Sequence, residues 1–401
     1  MLFLGYNSLT LKINSCFGRQ QNRFILVKLT SLIIAFLCVF LILDTQAASQ
    51  QNRWWVSAEY LQWWSQDSPI SVPLATQNFS SFAIINKPGT QIIFGKGSSI
   101  DSFHFDKVKD VRIKLGGWID SAKRYGIEGS GFGLAQATQT FTASSVGVGK
   151  PILDVPFFSV QSASENVLVG NRPNTITDSD TFLPYSLELN GLYNLTETLS
   201  FPFIMSAGLR FMGIHEHLTL NDAIYNTPSL PMGSVLTIQD NFYTKNYFYG
   251  VQIGAEGFFP YGKVDLEASG KIALGVNAQQ LEISGETNVN TTRMLQPIGL
   301  FAEPTNIGTF NHQVLAILPQ LQVRLGYHLR DSIYPFLSYN ALYISHIIRA
   351  SNEIDRNINL SQNPLLGGSG VLSGPAAPTR QFNETSLWMQ GFSIGVQVNL
   401  C

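Results

Sequence analysis

Apolar and polar side chains alternate with a period of two over stretches of this chain longer than ordinary strands. In 264–276, Val264, Leu266, Ala268, Gly270, Ile272, Leu274 and Val276 share one parity, and Asp265, Glu267, Ser269 and Lys271 share the other. Successive side chains of a strand point to opposite faces, so this segment has one greasy side and one polar side. The pattern recurs in Tyr247, Tyr249, Val251, Ile253 and Ala255, in Tyr185, Leu187, Leu189, Gly191 and Tyr193, and in alternate residues from Ile317 to Leu329. It closes the chain with Phe392, Ile394, Val396, Val398 and Leu400.

Ten such segments are legible, near 53–64, 101–119, 124–138, 182–194, 199–219, 239–258, 262–284, 313–329, 333–347 and 386–400. Segments 83–106 and 153–161 could each add another, giving twelve. The connections alternate in length. Asp120–Lys123, Leu195–Thr198, Phe259–Tyr261 and Arg330–Ser332 are short, whereas 65–100, 139–181, 220–238, 285–312 and 348–385 are long. A soluble sandwich has no reason to place every long connection at one end. Charged residues make up only 13% of the chain, about half the ~25% of soluble domains, and a wall facing lipid needs none. These features predict an all-β fold: a single antiparallel up-and-down transmembrane β-barrel of about ten strands, with short periplasmic turns, long extracellular loops and both chain ends in the periplasm.

Residues 29–43, LTSLIIAFLCVFLIL, form an uncharged apolar run preceded by Arg23 and Lys28 and followed by Thr45-Gln46-Ala47. This predicts a signal peptide over 1–48 with a long n-region, and a barrel over 49–401; a membrane anchor is the alternative. Cys16 and Cys38 fall in the leader, so the mature chain holds only Cys401 and no internal disulfide. The net charge of −2 gives no reason to expect nucleic acid as a partner.

Several blocks resemble the β-barrel porin family of the seventh type, outer-membrane barrels of Gram-negative bacteria with no settled function. They are Arg53 to Trp64, Leu115-Gly116-Gly117-Trp118-Ile119-Asp120, Tyr125 to Ser130, and Asn246 to Gln252. Pro304-Thr305-Asn306-Ile307-Gly308, Leu325-Gly326-Tyr327, Ser338 to Tyr343 and Leu387-Trp388-Met389-Gln390-Gly391 follow. The resemblance covers about 53–400 and implies a fold and a location, with outer-membrane lipid and the barrel-assembly machinery as partners, but no catalytic residue. One departure is the chain end, where Leu400 and Cys401 stand in place of the usual aromatic residue.

The polar parity collects Glu59, Arg112, Lys114, Glu128, Glu188, Arg210, Glu256, Asp265, Glu267, Lys271 and Arg324. In a narrow barrel these charges must pair, which predicts a salt-bridged plug, with a narrow polar channel as the alternative. Trp54, Trp55, Trp63, Trp64, Tyr247, Tyr249, Phe258 and Tyr261 bracket strands and are expected at the membrane interfaces. His215 and His217 share a face, but no third metal ligand can be placed. No Gly-x-Ser-x-Gly or other specific nucleophile motif accompanies the histidines, so neither catalysis, a cofactor nor a metal is expected. The function expected is a porin-like barrel of unknown solute; a closed barrel whose loops bind a ligand or host surface is the alternative, and a rim-located hydrolase the remotest one.

Overall fold

The computed structural model describes residues 53–400 apart from 106–107, 134, 146–150, 169–171, 197–200, 226–229, 291–293 and 331. The expected leader and Cys401 lie outside the described residues.

Ten strands close into a ring: β1 (Trp54–Ser65), β2 (Val108–Trp118), β3 (Tyr125–Phe132, continued by Ala137–Ser145), β4 (Asn174–Asn194), β5 (Phe203–Tyr225), β6 (Val235–Tyr261), β7 (Val264–Val289), β8 (Gly308–Tyr327), β9 (Ile333–Ile348) and β10 (Glu384–Leu400). Each pairs antiparallel with the next, and β10 closes on β1 from Trp54↔Leu400 to Ser65↔Met389. The short turns lie at one end, and the long connections 66–107, 146–173, 290–307 and 349–383 at the other. The strands reach further into the loop end than the alternation predicts, so the fifth–sixth connection shrinks to 226–234.

That extra length follows from an inversion of the two faces. On β4 the outward parity runs Leu183, Tyr185, Leu187, Leu189, Gly191 and Tyr193, opposite inward Ser186, Glu188 and Asn190. Ten residues of tilted strand rise about 25 Å, the height of a lipid-facing band. Above Leu183 the outward residues become Thr181, Ser179, Thr177 and Thr175, while inward Phe182 and Ile176 are buried. Likewise β5 buries Ile214, Leu218, Leu220 and Ile224, and β6 buries Phe242 and Ile238. The chain is inside-out within the band and conventionally folded above it. Alternation keeps its period but changes its sign there, and this hid the upper strand ends.

The extension is one-sided. β4 to β7 hold 21, 23, 27 and 26 residues, whereas β1 and β2 hold 12 and 11. Loops from the low side fold across to cover the apolar inner face of the tall side. Ile152–Ser159 pairs with Ser164–Leu168 and Pro73–Asn78, Gln91–Gly95 lies beyond, and Asn357–Ile358 joins in parallel. Segments 91–95 and 152–159 are therefore strands of this loop sheet and add none to the ring. Phe94 stacks on Phe141 at 4.1 Å and Phe105 on Phe182 at 5.3 Å, so loops and wall share one core.

Arg349, just past β9, pins this plug. Its Nε donates to Glu216 Oε1 at 2.7 Å, its Nη1 donates to the carbonyls of Gln66 and Asp67, and the Ala350 N–H donates to Glu216 Oε2. Both side chains are buried. Glu216→Gln leaves the guanidinium buried without its counter-charge and should cost about 3–5 kcal/mol, whereas Glu216→Leu with Arg349→Met should recover most of it. Urea unfolding followed by heat-modifiable gel migration reads both; a single variant within about 1 kcal/mol of wild type would show that the pair is not the anchor.

Candidate functional site

The interior of the ring has two parts with different charge chemistry. The lower part, within the lipid-facing band, carries five cations and five glutamates on inward positions. Arg112 Nη1 donates to Glu59 Oε1 at 3.2 Å, and Arg324 Nη1 to Glu267 Oε2 at 3.1 Å. Lys114 stands 3.5 Å from Glu128. Glu188 takes both Arg210 and Lys271, the latter at 2.8 Å, and accepts from Gln252 Nε2. Glu256 is the remaining glutamate and makes no ion pair within 4 Å among the described residues; it lines the cavity below. The rim pair Asp265–His328 lies nearer the turns.

Several of these bonds are chords across the lumen. Arg112 on β2 also donates to Asn340 on β9 at 2.9 Å, and Arg210 on β5 to Gln320 on β8 at 2.9 Å. The Arg112 guanidinium lies over the rings of Trp63 and Phe132. A chord between strands that are not neighbours fills the bore. Below it a cavity of about 490 Å³ opens at the short-turn end, walled by Lys114, Glu128, Glu256, Glu267, Arg324 and Tyr334 among others.

The upper part is acid-rich. Asp154, Asp178, Asp180, Glu216, Asp222, Asp240, Glu303, Glu353 and Asp355 are buried, and among the described residues Arg349 is the one buried cation set among them. Some acids are anchored by neutral donors. Asp240 accepts the backbone N–H groups of Leu300, Phe301 and Ala302, which draws the β7–β8 loop into the bore. Gly299 makes this approach possible, since a Cβ there would stand 1.9 Å from Asp240 Oδ1. Asp355 accepts from Thr379 and Asn357, and Glu353 from the Asn383 N–H. Among the described residues Glu303 has no donor on either carboxyl oxygen, and Asp178 and Asp222 each lack one on Oδ2. Burial, then the nearby Asp240, pushes Glu303 up to about 9; burial pushes Glu353 up to about 8.

Three of the aromatic residues expected at the interface need correction. Trp63 is fully buried, stacked on Phe132 inside the bore, because its neighbour Trp64 takes the outward parity. Trp55 and Phe258 also face inward and line the short-turn cavity. Trp54, Trp64, Tyr247, Tyr249 and Tyr261 lie on the outer wall. His215 and His217 point outward while Glu216 between them points in. Their contacts are tyrosines, Asn241 and Thr219, and no cluster of three metal-ligating side chains forms among the described residues. His346 Nδ1 stands 3.0 Å from Ser345 Oγ, but that hydroxyl accepts the Ile317 N–H at a β-bulge, and no carboxylate pairs with His346 among the described residues. The sequence reading missed Arg349 and the upper acids, which face a core that only the folded loops create.

No curated protein matches the chain. Among solved structures it is similar to the outer membrane protease OmpT from Escherichia coli, with a TM-score of 0.43 and 8% identity over 89% of this chain and 99% of that one. It is also similar to the CymD monoaromatic hydrocarbon channel (TM-score 0.19, 8% identity, 88% and 89% covered) and to a Pseudomonas aeruginosa FadL homologue (0.22, 7%, 86% and 90%). Likenesses this distant carry no argument about chemistry or transport. The family model described as "Putative beta barrel porin-7" matches residues 55–400, the span of the ten-stranded ring, and the chain belongs to that family of outer-membrane barrels.

Proposed function

We propose that this porin-family barrel is shut at rest and conducts only when its loop plug withdraws and the chords beneath it part, then favouring cations. The observation that carries the reading is the set of chords across the bore, Arg112 to Asn340 and Arg210 to Gln320, beneath a plug whose core is continuous with the wall. The plug is the weaker barrier. Nearly every charge in the lower layer has a partner, whereas the plug buries acids with few cations, a costly arrangement once they ionise. Withdrawal would leave an upper lumen whose tall wall carries Asp178, Asp180, Glu216, Asp222 and Asp240, and acids facing a pore favour cations. The reading places the long loops outside, the short turns and the strand ends at Trp54 and Leu400 in the periplasm, and lipid against the apolar band. It assigns no catalytic role to any residue.

Planar-bilayer recording of the refolded protein tests this. Wild type should be silent at pH 6 and show small cation-selective steps as the plug loosens, with selectivity shifted in Lys114→Ala and Glu267→Ala. A steady current at pH 6 would overturn the shut resting state.

The plug should also loosen with rising pH. Glu303 and Glu353 are neutral when buried and would ionise near 4.5 when exposed. The folded plug therefore binds more protons than the unfolded one, and their stabilisation is full below about 4.5 and lost as pH climbs to about 8 for Glu353 and about 9 for Glu303. Limited proteolysis of the loops should accelerate between pH 6 and pH 9.5, and Glu303→Gln should flatten that dependence. Equal resistance at both pH values would show that these acids do not govern the plug.

A further inference from the structure

The outer wall of the tall side carries a hollow that neither the bore nor the lipid band explains. Four cross-strand rows climb from the top of the band. Tyr185, Gly213 and Tyr247 form the first, and Leu183, His215, Lys245 and Gln280 the second. Thr181, His217, Tyr243 and Glu282 form the third, and Ser179, Thr219, Asn241 and Ser284 the fourth. All point outward, and the upper three rows surround a surface hollow of about 500 Å³.

The first row is bare at Gly213, and the Tyr185 ring lies across it; a Cβ there would come within 2.3 Å of that ring. His215 stands edge-on to Tyr185, Tyr247 and Tyr243, at centroid distances of 5.4, 5.3 and 6.0 Å. The Tyr185 and Tyr243 hydroxyls sit 3.3 and 3.4 Å from its two ring nitrogens. His217 is fixed by Asn241 at 3.3 Å and packs against Tyr243. These are rings held by one another, a rigid aromatic surface with polar edges. Glu282 and Ser284 border it, with no hydrogen bond to another side chain among the described residues, and can meet hydroxyl donors.

We propose that this hollow binds the saccharide headgroup of an outer-leaflet glycolipid. The occupant follows from place and chemistry. The hollow is continuous with the lipid-facing band, one row beyond its aromatic edge and opening sideways, where headgroups lie beside the barrel. Sugar rings offer apolar C–H faces to aromatic rings and hydroxyls to carboxylate, amide and hydroxyl groups. A phosphate would meet the Glu282 carboxylate, with Lys245 as the one cation in the rows. The proposal rests on the orientation given above, with the long loops outside.

The test uses the full-length refolded barrel in nanodiscs of phosphatidylethanolamine and phosphatidylglycerol, with and without purified lipopolysaccharide, and counts retained lipid by native mass spectrometry. Wild type should retain lipopolysaccharide in preference to phosphatidylglycerol. Tyr243→Ala with His217→Ala should weaken retention at least ~10-fold, about 1.4 kcal/mol, while Thr175→Ala, higher on the same wall, should leave it unchanged. Heat-modifiable migration establishes that each variant is folded. Equal retention in the double variant or preference for phosphatidylglycerol would each overturn the proposal. Labelling of Val371→Cys by an impermeant maleimide on intact cells, above the background of the unaltered chain, tests the orientation separately.

Discussion

Inside lipid, every backbone N–H and C=O must find a protein partner, and this chain meets that demand by closing its sheet. β10 bonds to β1 along its length and to β9 on its other side, so no edge remains in the band. Closure at ten strands creates a bore wider than the one that eight strands fill with ordinary side chains. Much of the remaining structure answers the question of what occupies that bore.

The two answers differ because the two solvents outside differ. Within the band the outer face must be apolar, so the polar residues are left inside, where they neutralise one another. Arg112 with Glu59 and Arg324 with Glu267 are buried pairs whose attraction offsets desolvation, helped by amides such as Asn340 and Gln320. Above the band the outer face meets water, so Thr177 and Thr181 turn outward and Phe182 and Ile214 turn in. An apolar inner wall demands cover, and the loops supply it with Phe94, Phe105 and Phe301. The acids among them are the expensive part: Asp240 and Glu353 have backbone donors in place of cations, and Glu303 has no donor among the described residues.

The ring was legible because a period of two survives any environment. Tyr185 to Tyr193 and Val264 to Val276 declare a face whatever lies behind it. Bounds were not legible where the sign of the alternation inverts, as between Leu183 and Phe182. The same ambiguity misplaced Trp63: a doublet of tryptophans has one member on each face, and nothing local says which. Arg349 was beyond reach for a different reason. Its partner Glu216 lies 133 positions earlier, and the two meet only because connection 349–383 folds back into the bore. Parity assigns a side chain to inside or outside; it says nothing of what the inside contains.

The one-sidedness of the plug follows from ring order. The connections β1–β2, β3–β4 and β9–β10 leave strands that are near one another around the ring, so their segments can meet in one small sheet without crossing the bore first. The strands opposite, β5 to β7, have the tall inner face that this sheet needs. Low side and tall side are therefore complementary halves of one core: shortening β6 would strip the loops of their support, and removing the loops would expose Leu218 and Phe242 to water. The outer surface of that same tall wall, held rigid from behind by the plug, is where the rings around His215 keep their fixed geometry. A wall backed by a packed core can hold such a hollow open, which an unsupported strand extension could not.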